Sequence, residues 1–199
     1  MAITAEQVKQ LRDKTGAGMM ECKAALTEAN GNEEEAITLL RKRGLAQAAK
    51  RAGRATAQGT IGTYIHLGGR IGVMVEVNCE SDFVARTDDF NSLVKEVAMH
   101  IAAADPKWVR REDVPVEAIE KEKGIYRAQM EGQNKPANVI DKIIEGKLGS
   151  FYSQFVLLDQ PSIRDGNVTI AQVVAAASAK TGENIQISRF TRYRVGEEV

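Results

Sequence analysis

The sequence predicts an α+β protein: a small helical bundle at the N-terminus, a linker, and a core combining helices with an antiparallel sheet. Three observations point there. Residues 3–43 hold three short helical patterns, each with its own start and stop signals. From Thr60 the apolar period changes to two, over two runs joined by Leu67-Gly68-Gly69. The run from Asn184 to Val195 alternates in the same way and supplies a third strand. On this reading residues 1–52 form the helical module, 53–59 the linker and 60–199 the core.

The first helix opens at Thr4, an N-cap with Gln7 at the reciprocal position of a capping box and Ile3 against Val8 as a hydrophobic staple. Val8 and Leu11 give it an apolar face, and Gly16 closes it. A second helix is expected from about Met19 to Ala29, stopping at Asn30-Gly31. A third begins at Asn32, with Glu33, Glu34 and Glu35 in its first turn and Arg41, Lys42 and Arg43 in its last. That charge order suits the helix macrodipole. Helices this short need one another, so they pack as a bundle. The turn Thr15-Gly-Ala-Gly-Met-Met20 joins a tight glycine path to two flexible, polarizable methionines. Neighbouring helical positions diverge by about 100°, so one methionine is expected in the bundle core and the other exposed as a docking contact.

Leu45 to Thr60, rich in alanine, reads as a helical or partly frayed linker, and Lys50, Arg51 and Arg54 as a solvated basic face. After the hairpin, the apolar strand Ile71 to Val77 runs into the polar turn Asn78-Cys-Glu-Ser-Asp-Phe-Val-Ala85. A helix follows over about Asp88 to Ala104, with Phe90, Leu93, Val94, Val97 and Ile101 at helical spacing and Asp105-Pro106 at its end. A turn between strand and helix lies at the rim of a sheet, where binding groups concentrate. Phe83 has two readings there. It is an outward wedge with the charge of Asp82 at its side, or the first core residue of the next helix, which is the default for a phenylalanine.

Trp108 to Gly146 reads as a short extended piece and two helices, one near Val116 to Glu131 and one from about Pro136 through Ile144. Neither sustains heptads long enough for a coiled coil. The pattern leaves Phe151 to Leu158 open between helix and strand. Asp165-Gly166-Asn167 is a turn, and Val168 to Lys180 a helix ended by Gly182.

Composition removes several function classes. The chain of 199 residues has room for one or two cores. Lys+Arg and Asp+Glu balance at 27 each, which implies no whole-molecule attraction to nucleic acid or anionic membrane. Aromatics at 5% leave little for base stacking. Cys22 and Cys79 read as buried, reduced thiols of a cytoplasmic protein. The N-terminus has no signal-like run, and no stretch approaches the roughly 18 apolar residues of a membrane span. The two histidines, His66 and His100, do not pair with the cysteines at metal-site spacing, and no spacing indicates a histidine partner for Cys79. Gly16-Ala17-Gly18 is followed by Met-Met rather than the Lys-Ser/Thr of a phosphate loop. The carboxylates are scattered. A non-enzyme without metal or cofactor is expected.

Three stretches resemble the translation elongation factor Ts family. They are Leu11-Arg-Asp-Lys-Thr-Gly-Ala-Gly-Met-Met-Glu-Cys-Lys-Ala-Ala-Leu26, Val75-Glu-Val-Asn-Cys-Glu-Ser-Asp-Phe-Val-Ala85 and Arg189-Phe-Thr-Arg-Tyr-Arg-Val-Gly196. The likeness covers essentially the whole chain. The family usually has Thr-Asp-Phe-Val at the central turn, where this chain has Ser81 and so keeps the hydroxyl. Longer members carry a coiled-coil insertion that is not found here, so the chain resembles the short form. The resemblance implies a guanine-nucleotide exchange factor that promotes GDP release from elongation factor Tu in translation. The N-terminal module is similar to a ubiquitin-associated-type three-helix bundle and would touch the partner's nucleotide-binding domain. Asp82 and Phe83, framed by Ser81 and Val84, would enter between two helices of that domain and disturb its magnesium site. Leu11, Gly16, Met19 and Met20 would belong to the docking turn. The implied partner is GDP-bound elongation factor Tu, with no direct nucleic-acid or membrane partner.

A homodimer is expected as well. The last strand carries Ile185, Ile187, Phe190, Tyr193 and Val195 with apolar groups on both faces, and an open edge of that kind is commonly covered through a two-fold axis. The alternative is that residues 108–146 cover it within one chain. Two further classes compete on function. A ubiquitin-like-partner or general interaction module rests on the bundle alone and leaves the central turn unexplained. An RNA- or ribosome-binding protein would use Lys50, Arg51 and Arg54. Nucleotide release from elongation factor Tu separates all three.

Overall fold

The computed structural model describes residues 3–130 and 136–197. The helices among them are α1 (Ala5–Thr15), α2 (Met19–Glu28), α3 (Glu33–Arg51), α4 (Asp82–Ala85), α5 (Asp88–Ala104), α6 (Val116–Ala128), α7 (Ala137–Phe155) and α8 (Ile170–Thr181). The strands are β1 (Gln58–Ile65), β2 (Ile71–Cys79) and β3 (Gln186–Arg194), forming one sheet in the order β1-β2-β3. Its pairings are antiparallel: His66 N donates to Ile71 O at the hairpin, and Val195 N to Arg70 O at the far strand. The α+β fold expected from the periodicity is therefore present, with β1 and β3 as the edges. The chain divides into two compact units, one of Met1–Ile61, Glu76–Lys95 and Gln172–Ile187, the other of Gly62–Val75, Glu96–Ala171 and Ser188–Val199.

In the first unit, α1 to α3 share a core of Val8, Leu11, Cys22, Ala25, Leu26, Ala29 and Ala36, with Ile3, Ile37, Leu39 and Leu40 packed on it. The capping box at Thr4 is formed in both directions: Gln7 N donates to Thr4 Oγ1 at 3.2 Å, and Thr4 N to Gln7 Oε1 at 2.9 Å. The third helix is longer than its basic cluster at Arg41 to Arg43 implied. It runs on to Arg51, because Leu45 to Ala49 are good helix formers and one glycine, Gly44, is tolerated. Tertiary contacts hold the extension. Gln47 Nε2 donates to Glu21 Oε1 at 3.1 Å, and Arg51 Nη1 to Ser178 O at 3.3 Å. Arg54 faces Glu80 at 3.4 Å, so two of the three cations of the expected solvated face are engaged inside the chain. Gly59 fixes how β1 meets the end of β2. Its φ is 148°, and a Cβ there would lie 2.2 Å from Val77 O, so only glycine fits.

In the second unit, α6 and α7 lie antiparallel and pack on each other through Met130, Ile144 and Leu148, with Ile119, Tyr126, Ile140, Ile143 and Tyr152 around them. The expected end of the first of these helices, at Glu131, lies outside the described residues. Phe151 to Leu158, open from the pattern, divides among helix, an extended residue and a 3₁₀ turn. Phe151–Phe155 complete α7, Val156 turns extended and bridges Trp108, and Leu157–Asp159 form a single 3₁₀ turn. His100 is wholly buried on α5 and meets Gln160 at 2.9 Å through Nε2.

Candidate functional site

The central turn begins where β2 ends. Cys79 is buried, and its Sγ donates to Ser81 O at 3.1 Å. Ser81 is extended (φ −127°, ψ 156°) and caps α4, with its Oγ accepting from Val84 N at 3.3 Å. The expected turn is thus a single helical turn, Asp82–Ala85, too short to hold itself. Its far end is tied by Thr87, whose Oγ1 donates to Val84 O at 2.8 Å and accepts from Phe90 N at 3.3 Å, which starts α5. Asn91 Nδ2 reinforces this by donating to Thr87 O at 3.0 Å. Phe83 projects from this mount and is 78% exposed, so of its two readings the structure shows the outward one. Asp82 pairs with Arg86 one turn on, Oδ2 to Nη2 at 2.9 Å, and Val84 is half-buried.

Glu183 is the anchor that sequence reasoning missed. Its Oε2 accepts from Glu80 N at 3.1 Å and Ser81 N at 3.0 Å, and its Oε1 accepts from Ser81 Oγ at 2.6 Å. In return, Glu80 Oε1 accepts from Asn184 N at 2.6 Å. Asn184 Nδ2 donates to Ala52 O at 3.4 Å and Arg54 O at 2.9 Å. The only local signal at Glu183 is its place after the helix-ending Gly182, and nothing there names a partner 102 residues away. Burial pushes the Cys79 thiol up, with the Glu183 carboxylate adding to it, and burial does the same to Cys22. Both cysteines are free.

The methionine turn lies in the same unit. Gly16 ends α1 with φ 68°, and Lys180 lies against it, its Cδ 3.3 Å from where a Cβ would stand. Lys180 Nζ in turn donates to Asp89 Oδ1 at 2.6 Å. Met19 and Met20 are 45% and 77% exposed. The expectation that one of them fills the core is therefore corrected: the inward row of α2 starts at Cys22 and continues through Ala25 and Leu26. Leu11 is fully buried in that core, so it supports the turn from beneath and offers no surface of its own. Among the described residues no cluster of three His, Cys, Asp or Glu side chains could hold a metal ion, and no helix is long and apolar enough to cross a membrane.

Comparison with known proteins gives one consistent answer. The family described as Elongation factor TS matches residues 2–197. The chain is 60% identical over 197 residues to the protein named Elongation factor Ts of Fervidobacterium nodosum, covering 99% of this chain and 100% of that one. It is 58% identical over 195 residues to the Elongation factor Ts of Solibacter usitatus, covering 98% and 92%. For the protein of that name from Koribacter versatilis the figures are 57% over 197 residues, 99% and 90%.

Proposed function

This chain belongs to the elongation factor Ts family, and from that premise we propose that it is a guanine-nucleotide exchange factor for elongation factor Tu. It promotes GDP release by inserting the Asp82-Phe83 turn near the partner's magnesium site. The observation that supports this most is Phe83, an aromatic ring in solvent on a helical turn capped at both ends. Burying such a ring in a partner contributes about 1.5–3 kcal/mol. That is enough to help hold a distorted conformation of the partner. Asp82 enters beside the ring, and the pair it gives up with Arg86 is one that solvent already screens. Bound Mg²⁺ requires near-ideal octahedral geometry, so a small shift of its support is costly. Linkage completes the cycle: a factor that favours the state holding GDP poorly is itself held poorly by the GDP complex.

No covalent step, cofactor or metal of its own enters this account. Met19 and Met20 supply the docking contact that holds the complex while the wedge distorts it. The chain works in the cytoplasm, as a homodimer. The test is release of labelled GDP from its complex with elongation factor Tu. The full chain should accelerate release, and binding without acceleration would overturn the proposal.

A further inference from the structure

The direction in which Phe83 points is set from outside its own segment. A helical turn of four residues, Asp82–Ala85, has too few internal bonds to fix its own axis, so its ends decide the direction: Thr87 ties the far end, and the cap at Ser81 sets the start. That cap, Ser81, holds Val84 N only while its Oγ is aimed correctly, and the Oγ is aimed by its 2.6 Å bond to Glu183 Oε1. The other carboxylate oxygen takes the two preceding amide protons, of Glu80 and Ser81. Three donors therefore converge on one carboxylate, and charge-assisted bonds of this kind are stronger and shorter than neutral ones.

Glu183 is itself fixed. Ser178 Oγ donates to its carbonyl at 2.5 Å, and the next residue, Asn184, gives its N–H to Glu80 Oε1 and its amide group to Ala52 O and Arg54 O. Two loops are tied by two carboxylates that reach in opposite directions. Removing the Glu183 carboxylate would leave two N–H groups without their acceptor and free the Ser81 hydroxyl to turn away from Val84 N.

We propose that Glu183 is a positioning residue for nucleotide release, setting the direction of the Asp82-Phe83 turn through Ser81. This rests on the exchange reading above. A purely structural role would lower the fraction of folded chain and leave each folded molecule at full rate. A positioning role lowers the maximal rate at saturating factor and leaves the half-saturating concentration unchanged, because Met19 and Met20 still dock.

The experiment is stimulated release of labelled GDP from elongation factor Tu, titrated with full-length wild type, Glu183→Ala, Glu183→Gln, Glu183→Asp and Phe83→Ala, each checked for folding by thermal melt. In Glu183→Ala the maximal rate should fall on the order of tenfold or more, the scale of a wedge misplaced by about an ångström. Glu183→Gln keeps an oxygen for the two amides and an NH₂ for Ser81 Oγ, and should recover most of that rate. Should Glu183→Ala not fold, Glu183→Asp, which withdraws the carboxylate by one methylene, should show the same split. A folded Glu183→Ala or Glu183→Asp at the wild-type maximal rate, or one that changes only the half-saturating concentration, overturns the positioning role. If Phe83→Ala loses acceleration in that experiment, the exchange reading stands without it. A wild-type chain that accelerates nothing overturns both.

Discussion

His100 and Phe83 reverse the usual placement of their side chains: the imidazole is fully buried and the phenyl ring faces solvent. Gln160 commits its amide protons to Ala104 O and Gln154 O, at 3.2 and 2.7 Å, so its Oε1 is left to accept from His100 Nε2. The imidazole proton is therefore on Nε2, and Nδ1 is a buried nitrogen with no partner among the described residues. Burial holds the His100 pKa below the usual 6.5, against the opposing pull of the Gln160 bond and the Glu96 carboxylate. The folded residue is neutral where the unfolded one takes a proton. As pH falls through 6.5 toward the folded value, the unfolded chain binds more protons and stability is lost. Thermal melts should show Tm dropping as pH falls below about 6.5, and dropping less in His100→Gln; an equal drop in both would contradict the assignment. The burial of His100 is legible in the sequence, since it shares the stripe of Leu93, Val97 and Ile101, but its partner 60 residues on is not. Phe83 is misleading for a related reason. It lies seven residues before the buried Phe90, as a continuous helix would require for one face. Thr87 starts a new helix between them, and that break releases the ring outward.

At the scale of elements, two of the exposed apolar sites are turns mounted on helices. The glycine turn before α2 presents Met19 and Met20, and the capped turn α4 presents Phe83. Docking and distortion are then separable. Replacing Met19 and Met20 with serine should weaken binding to elongation factor Tu while leaving the rate at saturating factor close to wild type, because uniform binding energy does not alter the step that follows. Titrated GDP release checks this, with helicity measured alongside, and a rate that saturation fails to restore would make the methionine turn part of the distortion. Helix starts are well marked in this chain. The caps at Thr4, Asn32 and Ser81 each use an oxygen side chain three residues before the amide it accepts. Helix ends are marked less well. The Arg41 to Arg43 cluster resembles a C-terminus, yet α3 continues to Arg51 because contacts with Glu21 and Ser178, remote in sequence, reward the extra turns.

At the scale of the molecule, the hairpin and the last strand are readable from period and turn residues, and the sheet order follows them. What covers the sheet is not readable, because it depends on where the later helices go. Helices α6 and α7 pair with each other, while Ile65, Met74, Tyr193 and Val195 stay exposed in the single chain. With β1 and β3 both open edges, these groups are the surface on which the proposed two-fold dimer would close. Sedimentation equilibrium at micromolar concentration should give about twice the chain mass of 21.7 kDa, and a single species near 21.7 kDa would contradict the dimer. Phe83, as proposed, is a wedge whose work is done in the partner. That role is tested most directly by GDP release from elongation factor Tu at saturating Phe83→Ala. The rate should be slower than wild type by roughly ten- to a hundredfold, the equivalent of about 1.5–3 kcal/mol, with the melting temperature nearly unchanged. A wild-type rate from a folded Phe83→Ala chain would contradict it.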